Sequence, residues 1–161
     1  MIGRKNSSVL TSFFGFLSVA LATPAEADPI AMRNLTKAMV LEARDYYETV
    51  SLEEATAAFN DVTSERWLRE PFHLHLFGMN ANGDVWADNV FTALVGTNFI
   101  HFADFDGKPF GKMIAENTPQ DGSVYQIDIR FTSPGTGEIV PGVGSCLRPD
   151  ADNILCSWSE E

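Results

Sequence analysis

Basic side chains are scarce in this sequence, with 11 Lys and Arg set against 22 Asp and Glu and a net charge of −11. A surface of that sign repels phosphate backbones and anionic lipid headgroups, which excludes nucleic acid as a partner. Histidine is equally sparse, with three residues, and cysteine is limited to Cys146 and Cys156, which lack the C-x-x-C spacing of a redox motif. Apolar runs of membrane-spanning length are missing too. The longest, Val9 to Ala22, is too short for a stable bilayer anchor. It follows Arg4 and Lys5 and precedes Ala25-Glu26-Ala27, the layout of a secretory signal peptide with its small-x-small cleavage site. Residues 1–27 are therefore expected to be removed. A single domain over 28–161 would remain, periplasmic or secreted, with no membrane insertion after cleavage. Loss of Arg4, Lys5 and Glu26 takes the net charge to −12.

Periodicity divides the remaining chain into a helical part and a strand part. Met32, Leu35, Met39, Ala43, Tyr46 and Val50 recur at intervals of three and four, one stripe of a long amphipathic helix. Ser51 with Glu54 forms a capping box for a second, short helix through Leu52, Ala55 and Phe59, which Asn60-Asp61 ends. Strands are expected at Phe72 to Met79, Asp84 to Asp88, Ser123 to Phe131, Ile139 to Leu147 and Ile154 to Trp158. Between the second and third lies an irregular stretch, residues 89–120. Within it a short helix near Pro109 to Asn117 turns Phe110, Met113 and Ile114 inward. A helix followed by a meander of strands gives an α+β class, with a long N-terminal helix packed on an antiparallel sheet of about five strands.

The two cysteines flank Pro149-Asp150-Ala151-Asp152-Asn153, a strong turn composition. A hairpin that pairs Leu147 with Leu155 sets Cys146 opposite Cys156, within the Cα separation a disulfide tolerates. In an exported chain that pair is expected to form a structural staple.

The order of these elements, with five local motifs, resembles the single Cache domain, type 2, an extracytoplasmic sensor domain of chemotaxis receptors and sensor histidine kinases. The motifs are Leu52 to Asp61, Asn82-Gly83-Asp84-Val85-Trp86-Ala87, Leu94-Val95-Gly96-Thr97-Asn98, Asp106-Gly107-Lys108-Pro109-Phe110, and Ser133-Pro134-Gly135-Thr136-Gly137 with Pro141. They hold their order from about Leu35 to the C-terminus. The resemblance implies a PAS-like Cache fold and no catalysis. It also implies a small organic acid, amino acid or similar metabolite as ligand, and a membrane sensor kinase or chemotaxis receptor as partner. Three departures stand out. Gly142 replaces a basic residue that often follows the position of Pro141, Asp88 stands where a His is frequent, and the last strand ends in Ser157-Trp158-Ser159-Glu160-Glu161.

In that fold the ligand lies between the sheet and the irregular middle segment. With Asn80 to Gly83 as a four-residue turn, Met79 pairs with Asp84, Phe77 with Trp86 and His75 with Asp88. Leu74, Leu76, Gly78, Val85 and Ala87 then share the opposite face, suited to lie under the helix. His75, Phe77, Trp86 and Asp88 form a mixed aromatic and polar face that fits a pocket. A sheet with one solvated face alternates in the same way, but a Trp beside a Phe favours a cover. Phe99 and His101 in the roof, Phe110 on the short helix and Tyr125 on the third strand complete the candidate ligand-binding set. Arg130 would suit a carboxylate, but strand parity sets it opposite Tyr125, so Tyr125 is preferred.

Other chemistries fit less well. His73-x-His75 with His101 would make a three-His zinc set for a small metal-dependent hydrolase, but nothing in the sequence fixes His101 nearby. Asp104-Phe105-Asp106-Gly107 starts like a calcium loop, yet Pro109 and Ala115 stand where that loop needs Gly and Glu. Neither a metal nor a cofactor is expected. A non-binding envelope adaptor is the remaining alternative.

Overall fold

The computed structural model describes residues 28–70 and 73–160. The expected leader and its cleavage site lie outside the described residues, as does the first residue of the expected strand at Phe72. Asp28 is the N-cap of the first helix, α1 (Pro29–Tyr47): its carboxylate accepts the Ile30 amide, and Pro29 occupies the first turn, where no donor is needed. The buried stripe is Met32, Thr36, Met39, Val40 and Ala43. Leu35 is more exposed than the periodicity implies, and the helix stops before Val50, with Glu48 as its C-cap. Ser51 accepts the Glu54 amide at the start of α2 (Leu52–Phe59).

Six strands follow: β1 (Leu68–Arg69), β2 (Leu74–Asn80), β3 (Val85–Asp88), β4 (Tyr125–Thr132), β5 (Ile139–Leu147) and β6 (Asn153–Glu160), with α3 (Phe110–Asn117) between β3 and β4. The two-residue β1 is the addition to the five expected. The sheet is antiparallel in the order β1-β2-β6-β5-β4, and β3 shares the outer edge of β2 with β1.

Strand alternation gives the sheet two different faces. One receives α1 and α2 on Leu74, Leu76, Leu147 and Leu155, which pack with Met39, Val40, Ala43, Phe59 and Trp67. Fully burying one large apolar side chain contributes about 1.5–3 kcal/mol, so this layer anchors the helices. Beneath α1 the sheet presents Ser145, Ser157 and Ser159, all buried. The Thr36 and Ser145 hydroxyls hydrogen-bond at 2.8 Å, and the Gln126 amide donates to Ser145 and to the Arg33 carbonyl. The other face carries Phe77, Met79, Ile127, Ile129, Cys146, Ile154, Cys156 and Trp158, packed with Phe99, Phe110 and Ile114 of the middle segment.

Cys146 and Cys156 are disulfide-bonded across the β5–β6 ladder, with Leu147 opposite Leu155, as the turn composition implied. Just beyond, the buried Arg148 guanidinium donates to the Thr118 and Ala115 carbonyls at the C-terminus of α3, tying that helix to the hairpin. Replacing both cysteines with serine is expected to cost about 2–3 kcal/mol, the chain-entropy value for so short a loop. Urea unfolding checks this: the midpoint should fall, and an unmoved midpoint would show that the staple adds no stability.

Candidate functional site

Between the sheet and the middle segment lies a cavity of about 260 Å³. His75 and Phe77 of β2, Trp158 of β6 and residues 129–132 of β4 line it from the sheet. Asp88 closes it at the end of β3, and Phe91, Leu94, Phe99, Phe102, Ala103, Asp104 and Phe105 roof it, with Phe110 of α3 at the side. Aromatic rings hold the roof to the floor. Phe99 lies 4.6 Å from Phe77, 4.7 Å from Phe102 and 5.0 Å from Phe110 between centroids. Each such pair adds about 0.5–1.5 kcal/mol beyond its buried area.

Glycines make this layering possible. Gly144 pairs with Trp158 on the neighbouring strand, and a β-carbon there would meet the indole at 2.3 Å. At Gly142 it would meet the Phe131 ring at 2.1 Å. Both rings therefore lie across β5 because those two positions lack side chains. Hydrogen bonds fasten the roof at two further places. The Asn98 side chain donates to Asp84 and to the Asn82 carbonyl, and the Phe99 amide donates to the Gly83 carbonyl. Asp104 accepts the amides of Asp106 and Lys108 on one oxygen and that of Arg130 on the other. Burial alone would push the Asp104 carboxyl up, but these amides outweigh it and hold the group below its usual range. The segment that resembled the start of a calcium loop is thus a clasp on β4.

The expected β2–β3 register is not the one observed. A bulge between Gly78 and Met79 pairs Met79 with Val85 and Phe77 with Asp88. His75 instead pairs with Trp158 of β6 and Leu68 of β1. The turn is Ala81 to Gly83, one residue shorter than expected, with Asn80 bonded to Asp84. This carries Trp86 to the helix side, where its ring covers Gly78 and packs near Tyr47 and Phe59. Val85 correspondingly joins the cavity-side core. Of the eight candidate residues, His75, Phe77, Asp88, Phe99 and Phe110 are brought together around the cavity, and Trp86, His101 and Tyr125 are not. His101 is exposed on the roof. Tyr125, opposite Cys146, is half-buried at the edge of the aromatic core. Arg130 reaches the cavity lining in its place, with its guanidinium 3.4 Å from Asp106 at the surface.

Two asparagines for which the sequence suggested no role beyond ending α2 and opening the irregular stretch set the polar end. Asn60 accepts the Asp88 amide and donates to the Trp86 carbonyl, replacing a missing strand partner for β3. Asn89 accepts the Leu76 amide and donates to the Trp67 carbonyl, bridging the gap between β1 and β3.

Asp88 is 1% exposed. One carboxyl oxygen accepts the Val90 and Phe91 amides at 2.8 and 2.6 Å, and the other has no hydrogen-bond partner among the described residues. Burial pushes this carboxyl above its usual range, against the opposing pull of His75 and the two amides. Burial also holds the His75 ring below the ordinary histidine range, and the nearby Asp88 and Glu160 carboxylates do not offset it. Among the described residues no hydrogen bond links His75 with Asp88; they interact through space. No group of three or more His, Cys, Asp or Glu side chains among the described residues is arranged to hold a metal ion.

A helix-backed antiparallel sheet with a roofed cavity on its far face is an α+β architecture that solved structures share. The chain is similar to a periplasmic sensor domain of a chemotaxis protein, with 17% identity and a TM-score of 0.59 over 81% of this chain and 93% of that one. It is similar to a methyl-accepting chemotaxis protein from Vibrio parahaemolyticus, with 13% identity and a TM-score of 0.62 over 81% and 86%. The third is a Cache chemosensory domain whose structure concerns carboxylic acid recognition, with 16% identity and a TM-score of 0.58 over 81% and 91%. No protein-family model and no curated protein matches the sequence. The fold is that of the Cache sensor domains.

Because the folded-state value of Asp88 lies above the unfolded one, its charge costs stability above that value, and the cost vanishes as pH falls. Asp88→Asn keeps an acceptor for the two amides and removes the charge. Its melting temperature at neutral pH should exceed the parent's by a few degrees, and the two curves should converge below about pH 4. A lower melting temperature at neutral pH would show that the carboxylate is stabilised in place.

Proposed function

We propose that this chain is an exported single Cache domain, residues 28–161 after removal of the 1–27 leader, that binds a small metabolite and passes its occupancy to a membrane signalling partner such as a chemoreceptor or sensor kinase. The observation that carries this reading is the cavity itself. It lies where the sheet and roof meet, is walled by aromatic rings, and has a few convergent polar groups at one end, the usual composition of a small-molecule site. A cavity of about 150 Å³ accommodates benzene, so this one has room for roughly ten non-hydrogen atoms. One neighbour of like fold is a periplasmic sensor domain of a chemotaxis protein and another a methyl-accepting chemotaxis protein, which supports an extracytoplasmic location and a receptor partner. No helix among the described residues is long and apolar enough to cross a membrane. The reading assigns transmembrane signalling to a second protein. His75, Phe77, Asp88, Phe99 and Phe110 are the binding residues under this proposal, and they hold the ligand without converting it.

Trp158 lines the cavity, whereas Trp67 packs on the helix side of the sheet and Trp86 covers Gly78 there. A metabolite screen read by melting temperature and tryptophan fluorescence tests the proposal. A ligand should raise the melting temperature by mass action and change the emission, and Trp158→Phe should abolish the emission change but retain most of the thermal shift. A broad screen in which no compound does either would leave the chain an envelope adaptor with a filled core.

A further inference from the structure

The polar end of the cavity is built from acceptors. The His75 Nδ1 lies 2.8 Å from the His73 carbonyl, which can only accept, so Nδ1 carries the proton. His75 is 2% exposed, and its burial favours the neutral ring, in which the other nitrogen is a lone-pair acceptor. Asp88 contributes the second acceptor through the carboxyl oxygen that has no hydrogen-bond partner among the described residues. The fixed positive charge among the lining residues is that of Arg130, which is already beside Asp106 and half-exposed. At Gly142, on the same face of the sheet, there is no side chain and the Phe131 ring fills the space. Asp104 has both oxygens taken by backbone amides.

We propose that His75 and Asp88 receive an organic ammonium group, so that the ligand is a small cation with an apolar body and not a carboxylate. The inference rests on the ligand-binding reading above and names its ligand class. Three features of the site converge on it. An ammonium supplies the N–H donors that both acceptors need. It neutralises a carboxylate taken out of water, which otherwise has no cation in contact. The ring faces of Phe91, Phe99 and Trp158, around the same cavity, attract a cation through their quadrupoles. A carboxylate guest would face Asp88 as a like charge, and could bind only with uptake of a proton by His75 or Asp88.

That difference gives opposite pH slopes. The groups facing the pair are His73 just before β2, Glu160 on β6, Asp104 in the roof and Arg130 on β4. None of them reverses the sign: ammonium binding needs Asp88 ionised and weakens as pH falls, whereas carboxylate binding gains a proton and strengthens.

Calorimetric titration of the purified protein with phenethylamine, phenethyl alcohol and phenylacetate tests this on one apolar body. Phenethylamine should bind at least about tenfold more tightly than the alcohol, the range expected for a charge-assisted hydrogen bond. Asp88→Asn should remove that preference and leave the alcohol within about threefold. The amine's affinity should also drop as the pH is lowered and Asp88 takes up its proton. Preferential binding of phenylacetate that tightens at the lower pH would overturn the ammonium assignment and leave a ligand-binding cavity intact. The assignment falls equally if the metabolite screen returns only ligands without an ammonium group. Binding by none of the three, with no hit in that screen, removes the ligand-binding reading itself.

Discussion

Between Gly78 and Met79 the β2–β3 ladder slips by one residue, and the chemistry of the cavity follows from that slip. Asn80 pairs with Asp84 across a turn of Ala81 to Gly83, and this register sets Trp86 over the bare surface of Gly78 on the helix side. Continued without the bulge, it would place Asp88 opposite Leu76, under the helices. Since a strand's side chains alternate with period two, the one inserted residue returns Asp88 to the cavity face, opposite Phe77. The bulge is held in turn by Asn60, whose side chain satisfies the free backbone of β3 on either side of Ala87.

The two faces of the sheet answer different demands. Under α1 the strands present serines and leucines, and the helix approaches closely enough for Thr36 to hydrogen-bond Ser145. On the far side, glycines at 142 and 144 hold aromatic rings flat against β5 and leave a space that the roof covers without filling. Asp88, desolvated at the end of that space, destabilises the fold where it stands, the pattern expected where a group is kept for binding.

Much of the fold was legible because its signals are local. The apolar stripe of α1, the capping box of α2, the alternation of β4 and the turn between the cysteines each depend on residues close in sequence, and each formed at about the expected place. The site was legible only in part, because it depends on register. His75 and Phe77 reach the cavity on strand parity and Phe110 on helix facing. Trp86 was misplaced because the turn before it is one residue shorter than its composition suggested. Tyr125 keeps the expected face but lies at the far end of β4, opposite Cys146, whereas Arg130 borders the cavity where its amide meets Asp104. His101 lies on a roof turn whose direction no periodicity encodes.

The absence of a side chain at Gly142 has a consequence for how this fold changes its preference. Phe131 occupies the volume that a side chain there would need, so a long basic residue at 142 could enter only by evicting the ring. The eviction would bring a cation to the cavity wall and take away an aromatic surface in the same event. Charge selectivity and aromatic lining are therefore not independent variables in this scaffold. A single codon links them, and a lineage can move between opposite guests without altering a strand, a turn or the helix layer behind the sheet.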